Sequence, residues 1–90
     1  MRANVSEYTY GDFKFVLEFD AGGDPNYPYT VLIYNDKGKE VCYKDSDMQA
    51  RRDISKGFSE QHLKNFCRKF AINEEYRNKY ITEAHNTVLN

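Results

Sequence analysis

The pattern of apolar residues predicts an α+β fold: an antiparallel β-sheet of three to four strands in the N-terminal half, packed against two to three C-terminal helices. Three observations carry this expectation. Phe13, Phe15, Leu17 and Phe19 alternate with Asp12, Lys14, Glu18 and Asp20, the period of a strand with one buried face. Tyr29, Val31 and Ile33 alternate with Thr30, Leu32 and Tyr34 and lead into the turn sequence Asn35-Asp36-Lys37-Gly38. Leu63, Phe66, Cys67 and Phe70 recur instead at the helical period. The 90 residues fit one domain, 1–90, and 8 Tyr with 6 Phe supply large areas for a single core.

The first element runs from Tyr8 to Asp20. Tyr8 and Tyr10 are out of step with the odd-numbered aromatics, and two arrangements reconcile them. A type II′ turn at Gly11-Asp12 pairs Tyr10 with Phe13 and Tyr8 with Phe15; a bulge at Gly11 in one long strand does the same work. Residues 21–28 hold two Gly, two Pro, Asp and Asn, a loop composition. A second hairpin follows, with Gly38 left-handed and Lys39–Lys44 as its return strand. Its register sets Ile33 opposite Val41 and Val31 opposite Tyr43, because a one-residue slip would put Glu40 against Ile33.

Ser46-Asp47-Met48-Gln49 has capping-box form and predicts a helix to Lys56, stopped by Gly57. Ser59 caps the next helix, with Phe58 and Leu63 as a hydrophobic staple. Asn73 caps the last one, with Glu74 and Glu75 at its positive end. Tyr76, Tyr80, Ala84 and Val88 form a stripe along that helix. The helices are expected to cover the Phe13/Phe15/Leu17/Phe19 face with Leu63, Phe66, Phe70 and Tyr76.

Several classes of chemistry find no support in the residues. Met1–Tyr10 carries one Arg and no apolar stretch, so no secretory signal is expected. Two cysteines, both inside apolar patterns, read as buried hydrophobes of a reduced, cytosolic protein. His62 and Cys67 point to different helix faces, and with His85 they make no zinc spacing; no metal or cofactor is expected. No nucleophile elbow, phosphate loop or catalytic dyad is recognisable, so the chain reads as non-enzymatic.

Charge divides the chain. Residues 1–45 hold five Lys/Arg against eight Asp/Glu (−3), and residues 46–90 hold eight against six (+2). Arg51, Arg52, Lys56, Lys64 and Arg68 fall in the two middle helices of this reading and define a nucleic-acid-binding alternative. The first reading is protein binding. Tyr27 and Tyr34 lie near Glu18, Asp20, Asp24 and Asp36, and tyrosines ringed by carboxylates suit a hot spot that meets a basic partner. A free sheet edge also permits a homodimer.

The succession of elements from Phe13, with its hairpin turning at Asn35-Asp36-Lys37-Gly38 and helices after Ser46, resembles small phage-encoded inhibitors of the anti-CRISPR type. So does a short chain rich in Asn, Lys, Tyr, Asp and Glu and lacking Trp. The resemblance spans residues 13–89 as topology. It implies an inhibitor that docks on a host defence nuclease complex in the host cytosol. A net charge of −1 departs from the strongly acidic DNA-mimicking members and favours a shape-specific protein contact.

Overall fold

The structure, a computed structural model, describes residues 2–82 and the backbone of 88–89. Its elements in chain order are β1 (Arg2–Tyr10), β2 (Phe13–Asp20), β3 (Tyr29–Tyr34), β4 (Arg52–Ile54), α1 (Glu60–Ile72), α2 (Glu74–Thr82) and β5 (Val88–Leu89). The strands form one sheet in sequence order. β1 to β4 are antiparallel, as expected of an α+β chain with its sheet first, and β5 joins β4 in parallel.

The first hairpin forms through the turn rather than the bulge at Gly11. Gly11 takes φ +55° while Asp12 keeps a negative φ, the pattern of a type II′ turn. Tyr10 pairs with Phe13 and Tyr8 with Phe15. β1 nevertheless begins six residues earlier than the aromatic pattern indicates. A bulge between Asn4 and Ser6 shifts the face of its first half, which erases the alternation that would have revealed it.

The second hairpin keeps its expected register for one turn only. Gly38 is left-handed at φ +76°, Tyr34 bridges Glu40, and the Val41 N–H donates to the Ile33 carbonyl at 2.8 Å. The chain then leaves β3, so Lys39–Lys44 is not a strand. The Tyr43 N–H donates to the Met48 carbonyl at 2.9 Å and the Ala50 N–H to the Val41 carbonyl at 2.8 Å, closing a small loop around left-handed Asp45. Asp tolerates that conformation, and the polar run 44–47 leaves nothing to bury.

No helix forms at Ser46–Lys56. The Ser46 hydroxyl accepts from the Met48 N–H at 3.0 Å, a local turn instead of a helix cap. Beyond it, Ala50, Arg52 and Ile54 alternate inward, and β4 occupies the flank of β3 expected for the hairpin. Val31 therefore faces Arg52, not Tyr43.

The helices obey their sequence signals. Ser59 accepts from the His62 N–H, and Leu63, Phe66, Cys67 and Phe70 are buried. Phe58 turns to Tyr29, ring to ring at 5.1 Å. Asn73 closes α1, donating to the Lys69 carbonyl at 2.9 Å, and opens α2 by accepting from the Tyr76 N–H at 2.9 Å. Arg77 donates to the free carbonyls of Phe70 (2.9 Å) and Ala71 (3.1 Å) while its guanidinium lies 4.9 Å from the Phe13 ring. α2 ends at Thr82; Val88 belongs to β5, and Ala84 and His85 lie outside the described residues.

The core sits between the helices and the inner face of the sheet. Phe70 meets Phe13 and Phe15 edge to face, at 5.4 and 5.8 Å. Leu17, Val31, Ile33, Leu63 and Phe66 close around them. Phe13 and Tyr76 pack at the margin, so the expected helices cover Phe13, Phe15 and Leu17; Phe19 lies outside this core, its ring 5.2 Å from that of Tyr29.

Candidate functional site

The register divides the strands' side chains between an inner face under the helices and an outer face without them. On the outer face stand Arg2, Asn4, Glu7 and Thr9 of β1, Lys14, Val16, Glu18 and Asp20 of β2, and Thr30, Leu32 and Tyr34 of β3. Glu18, Asp20 and Tyr34 thus share one surface. Asp24 and Tyr27 lie in the loop at the Asp20 end, and Asp36 in the turn at the other end. The length of β3, about 17 Å, separates these two groups. The six proposed contact residues therefore form two clusters, not one.

Much of the acidic character of this face is neutralised within the chain. Arg2 lies 3.3 Å from Glu18 and 3.9 Å from Asp20, and Lys14 lies 3.2 Å from Glu7. Asp20 and Asp24 also cap their own loop: the Gly22 N–H donates to Asp20 at 3.0 Å and the Asn26 N–H to Asp24 at 2.9 Å. Those two carboxylates shape the loop that carries them. Asp36 has no such duty. The turn around it is held by Asn35, whose side-chain oxygen accepts from the N–H groups of Lys37 and Lys39.

A cleft of about 630 Å³ opens on the outer face at the Asp36 end. Val16, the edge of Phe13 and Tyr34 give it an apolar floor, and Glu7, Asp12, Lys14, Glu18 and Asp36 surround it. Lys14 offsets Glu7 and Arg2 offsets Glu18, so Asp12 and Asp36 leave a charge of −2. Asp12, in the turn between β1 and β2, and Asp36, in the turn after β3, line the same cleft, so two turns contribute carboxylates to it. A second hollow, about 470 Å³, lies at the opposite end between Arg2, Asp20, Asp24, Tyr27 and Asp53. Glu7, Asp12 and Lys14 were not among the expected contact residues. Glu7 belongs to the part of β1 hidden by the bulge, and Asp12 gained its place only through the β2–β3 register.

The five cations of the nucleic-acid alternative disperse. With no helix at Ser46, Arg51 and Arg52 point to opposite faces of the sheet. Arg52 is buried, its guanidinium 4.7 Å from the Phe66 ring and 5.6 Å from the Tyr80 ring. Arg51 clasps Glu40 with two bonds, Nε to Oε2 at 2.7 Å and a terminal nitrogen to Oε1 at 3.0 Å. That bond to Glu40 raises the guanidinium's already high pKa. Lys56 lies beside the 21–28 loop, where its N–H donates to the Asn26 carbonyl at 3.1 Å. Lys64 sits on α1 over Tyr8 at 5.9 Å, and Arg68 is bonded to Asn65 at 3.0 Å. No common phosphate-binding surface results.

The strongest shifts in acidity belong to the core. Burial pushes the Cys67 thiol up to about 12 and raises Tyr80 as well. Both groups are neutral packing elements at physiological pH. Among the described residues, no group of three His, Cys, Asp or Glu side chains gathers as metal ligands. No helix among them is long and apolar enough to cross a membrane.

Fold and surface together define a small α+β domain with one sealed and one open sheet face. No protein-family model, curated protein or solved structure matches the chain.

Proposed function

We propose that this chain is a non-enzymatic protein-interaction module that binds a protein partner through the outer face of its sheet. The observation that supports this reading is the cleft at the Tyr34–Asp36 end. It joins an aromatic wall to the carboxylates of Asp12 and Asp36, which no cation among the described residues neutralises, at the turns of a hydrogen-bonded sheet. Tyr offers a large contact area at low entropic cost, and acidic groups around it steer toward Lys or Arg on a partner. In its most concrete form the reading is a phage- or mobile-element-encoded inhibitor occupying a basic channel of a host defence nuclease complex. The host cytosol is its place of action.

The pair Tyr34→Ala and Asp36→Lys tests it. Neither side chain holds the turn, so the melting transition should move by no more than about 1 kcal/mol equivalent. Capture of the partner from host lysate, and inhibition of the partner's nuclease activity, should fall by about tenfold or more, as loss of a hot spot does. Undiminished capture by the double variant removes this surface from consideration. Capture that survives while nuclease activity is never inhibited retains the module and discards the inhibitor.

A further inference from the structure

β1 forms one edge of the sheet, and among the described residues no strand lies beyond it. With 9 residues it is the longest strand, and most of it is exposed. Ladder pairing directs alternate residues toward β2, so the remaining N–H and C=O groups of β1 point off the sheet. Such an edge is a template for a further strand unless something restricts what can pair with it.

The bulge supplies that restriction. Before it, Arg2 and Asn4 lie on the outer face, opposite Asp20 and Glu18; after it, Glu7 and Thr9 lie there, opposite Val16 and Lys14. The outward set changes from even to odd numbers at Val5. A two-fold axis between Asn4 and Val5 pairs even with odd residues. Arg2 then meets the partner's Glu7 on the outer face, and Ala3 meets the partner's Ser6 on the inner one. Moving the axis onto Val5 or onto Asn4 sets Arg2 against Tyr8 or Ser6, which lie on the wrong face. An axis at Glu7 sets that carboxylate against its own copy, which is unfavourable.

An axis between Val5 and Ser6 also keeps the faces in step, setting Arg2 against Thr9 and Asn4 against Glu7, but the axis between Asn4 and Val5 is the one that also matches charge. The side chains of Arg2 and Glu7 are 46% and 50% exposed, so each has capacity beyond its own intrachain bond. Lys14, Glu7, the partner's Arg2 and the partner's Glu18 would follow one another as a row of alternating sign. Val5, 52% exposed although apolar, sits beside the axis, where the partner's Asn4 would lie opposite it.

We propose that β1 pairs with β1 of a second copy, antiparallel about a two-fold axis at the Val5 bulge, with Arg2 of each chain opposite Glu7 of the other. The interface is isologous, and it joins the two outer faces into one continuous surface. It requires no particular partner protein and stands apart from the docking reading above. Light scattering and sedimentation of the full chain over a concentration series should show a dimer that grows with concentration. Arg2→Glu alone, or Glu7→Arg alone, places like charges opposite each other twice and should weaken association by about tenfold. The double variant, R2E with E7R, re-forms the cross-chain pairs and should recover much of the association, although it sets like charges beside Glu18, Asp20 and Lys14 within each chain. A merely misfolded single variant could not explain that recovery. A monomer at every concentration overturns the proposal. So does a dimer indifferent to both single reversals, or a double variant that fails to recover while its melting curve remains cooperative.

Discussion

On the inner face of the sheet, Phe15, Leu17, Val31 and Ile33 are sealed under the helices, and aromatic rings meet edge to face. On the outer face, the same strands bury Val16 and Leu32 with no helix above them among the described residues. Ion pairs cross that surface instead, among them Arg2–Glu18, Lys14–Glu7 and Arg51–Glu40. Arg51 and Arg52 mark the contrast most sharply. One residue apart, they occupy opposite faces because a strand turns through half a revolution per residue. The inner arginine stacks between aromatic rings, and the outer one grips a carboxylate at the solvent boundary. Adjacent cations in a sequence therefore need not share a surface, and the register decides whether they do.

Removing the inner arginine should give the largest effect. Arg52→Ala withdraws a desolvated guanidinium from Phe66 and Tyr80 and leaves a void beside them. A stack of this kind contributes about 2 kcal/mol or more. Urea denaturation should show a loss of at least that size, and Arg52→Lys should recover little of it, since an ammonium has no planar face to stack. A loss no greater than that of a surface substitution would erase the distinction between the two faces.

The same residue explains which parts of the fold were legible in the sequence. α1 was readable because Leu63, Phe66, Cys67 and Phe70 repeat at one period and Ser59 stands where its hydroxyl meets the His62 N–H. β2 and β3 were readable because their inward residues are all apolar. β4 was not. The inward residues of β4 and of the stretch before it are Ala50, Arg52 and Ile54, and a charged residue in the middle reads as a polar interruption. Ser46 then offered a capping-box sequence whose hydroxyl in fact serves a turn. The contact surface was legible only in part for a related reason. Tyr34 and Asp36 could be chosen by residue type, but their separation from Asp24 and Tyr27, and the presence of Asp12 beside Asp36, follow from pairing across strands.

Alkaline pH offers a second way to probe the sealed face. An exposed thiol ionises near 9.0, whereas burial holds the proton of Cys67 up to about 12. Above pH 9.0 the unfolded chain therefore binds fewer protons than the folded one, and stability falls as pH rises. The stabilisation is complete below that pH and is lost progressively toward about 12, by up to about 1.4 kcal/mol per pH unit. Tyr80, also raised by burial, adds a loss of the same sign above its usual value of 10.0. Denaturant midpoints measured across this window should fall less steeply for Cys67→Val than for the parent chain. Equal slopes would show that the thiol titrates as freely in the folded state as in the unfolded one, and that the inner face admits water.

The smallest effect should come from the outer arginine. Arg51 and Glu40 form a bidentate pair at 2.7 and 3.0 Å, with side chains 38% and 14% exposed. Solvent screens such a pair, so Arg51→Ala should lower stability by no more than about 1 kcal/mol. Added salt should reduce part of the difference between the variant and the parent. It should not remove all of it, because the Glu40 side chain, 14% exposed, is partly shielded from solvent. Arg51→Lys keeps the charge but not the fork, and should fall between the two. Chemical denaturation of the three proteins at low and high salt measures each contribution. A loss from Arg51→Ala as large as that from Arg52→Ala, and insensitive to salt, would mean that the outer face is as much a part of the core as the inner one. The open cleft beside it would then be a seam in the packing, and the case for docking there would fall with it.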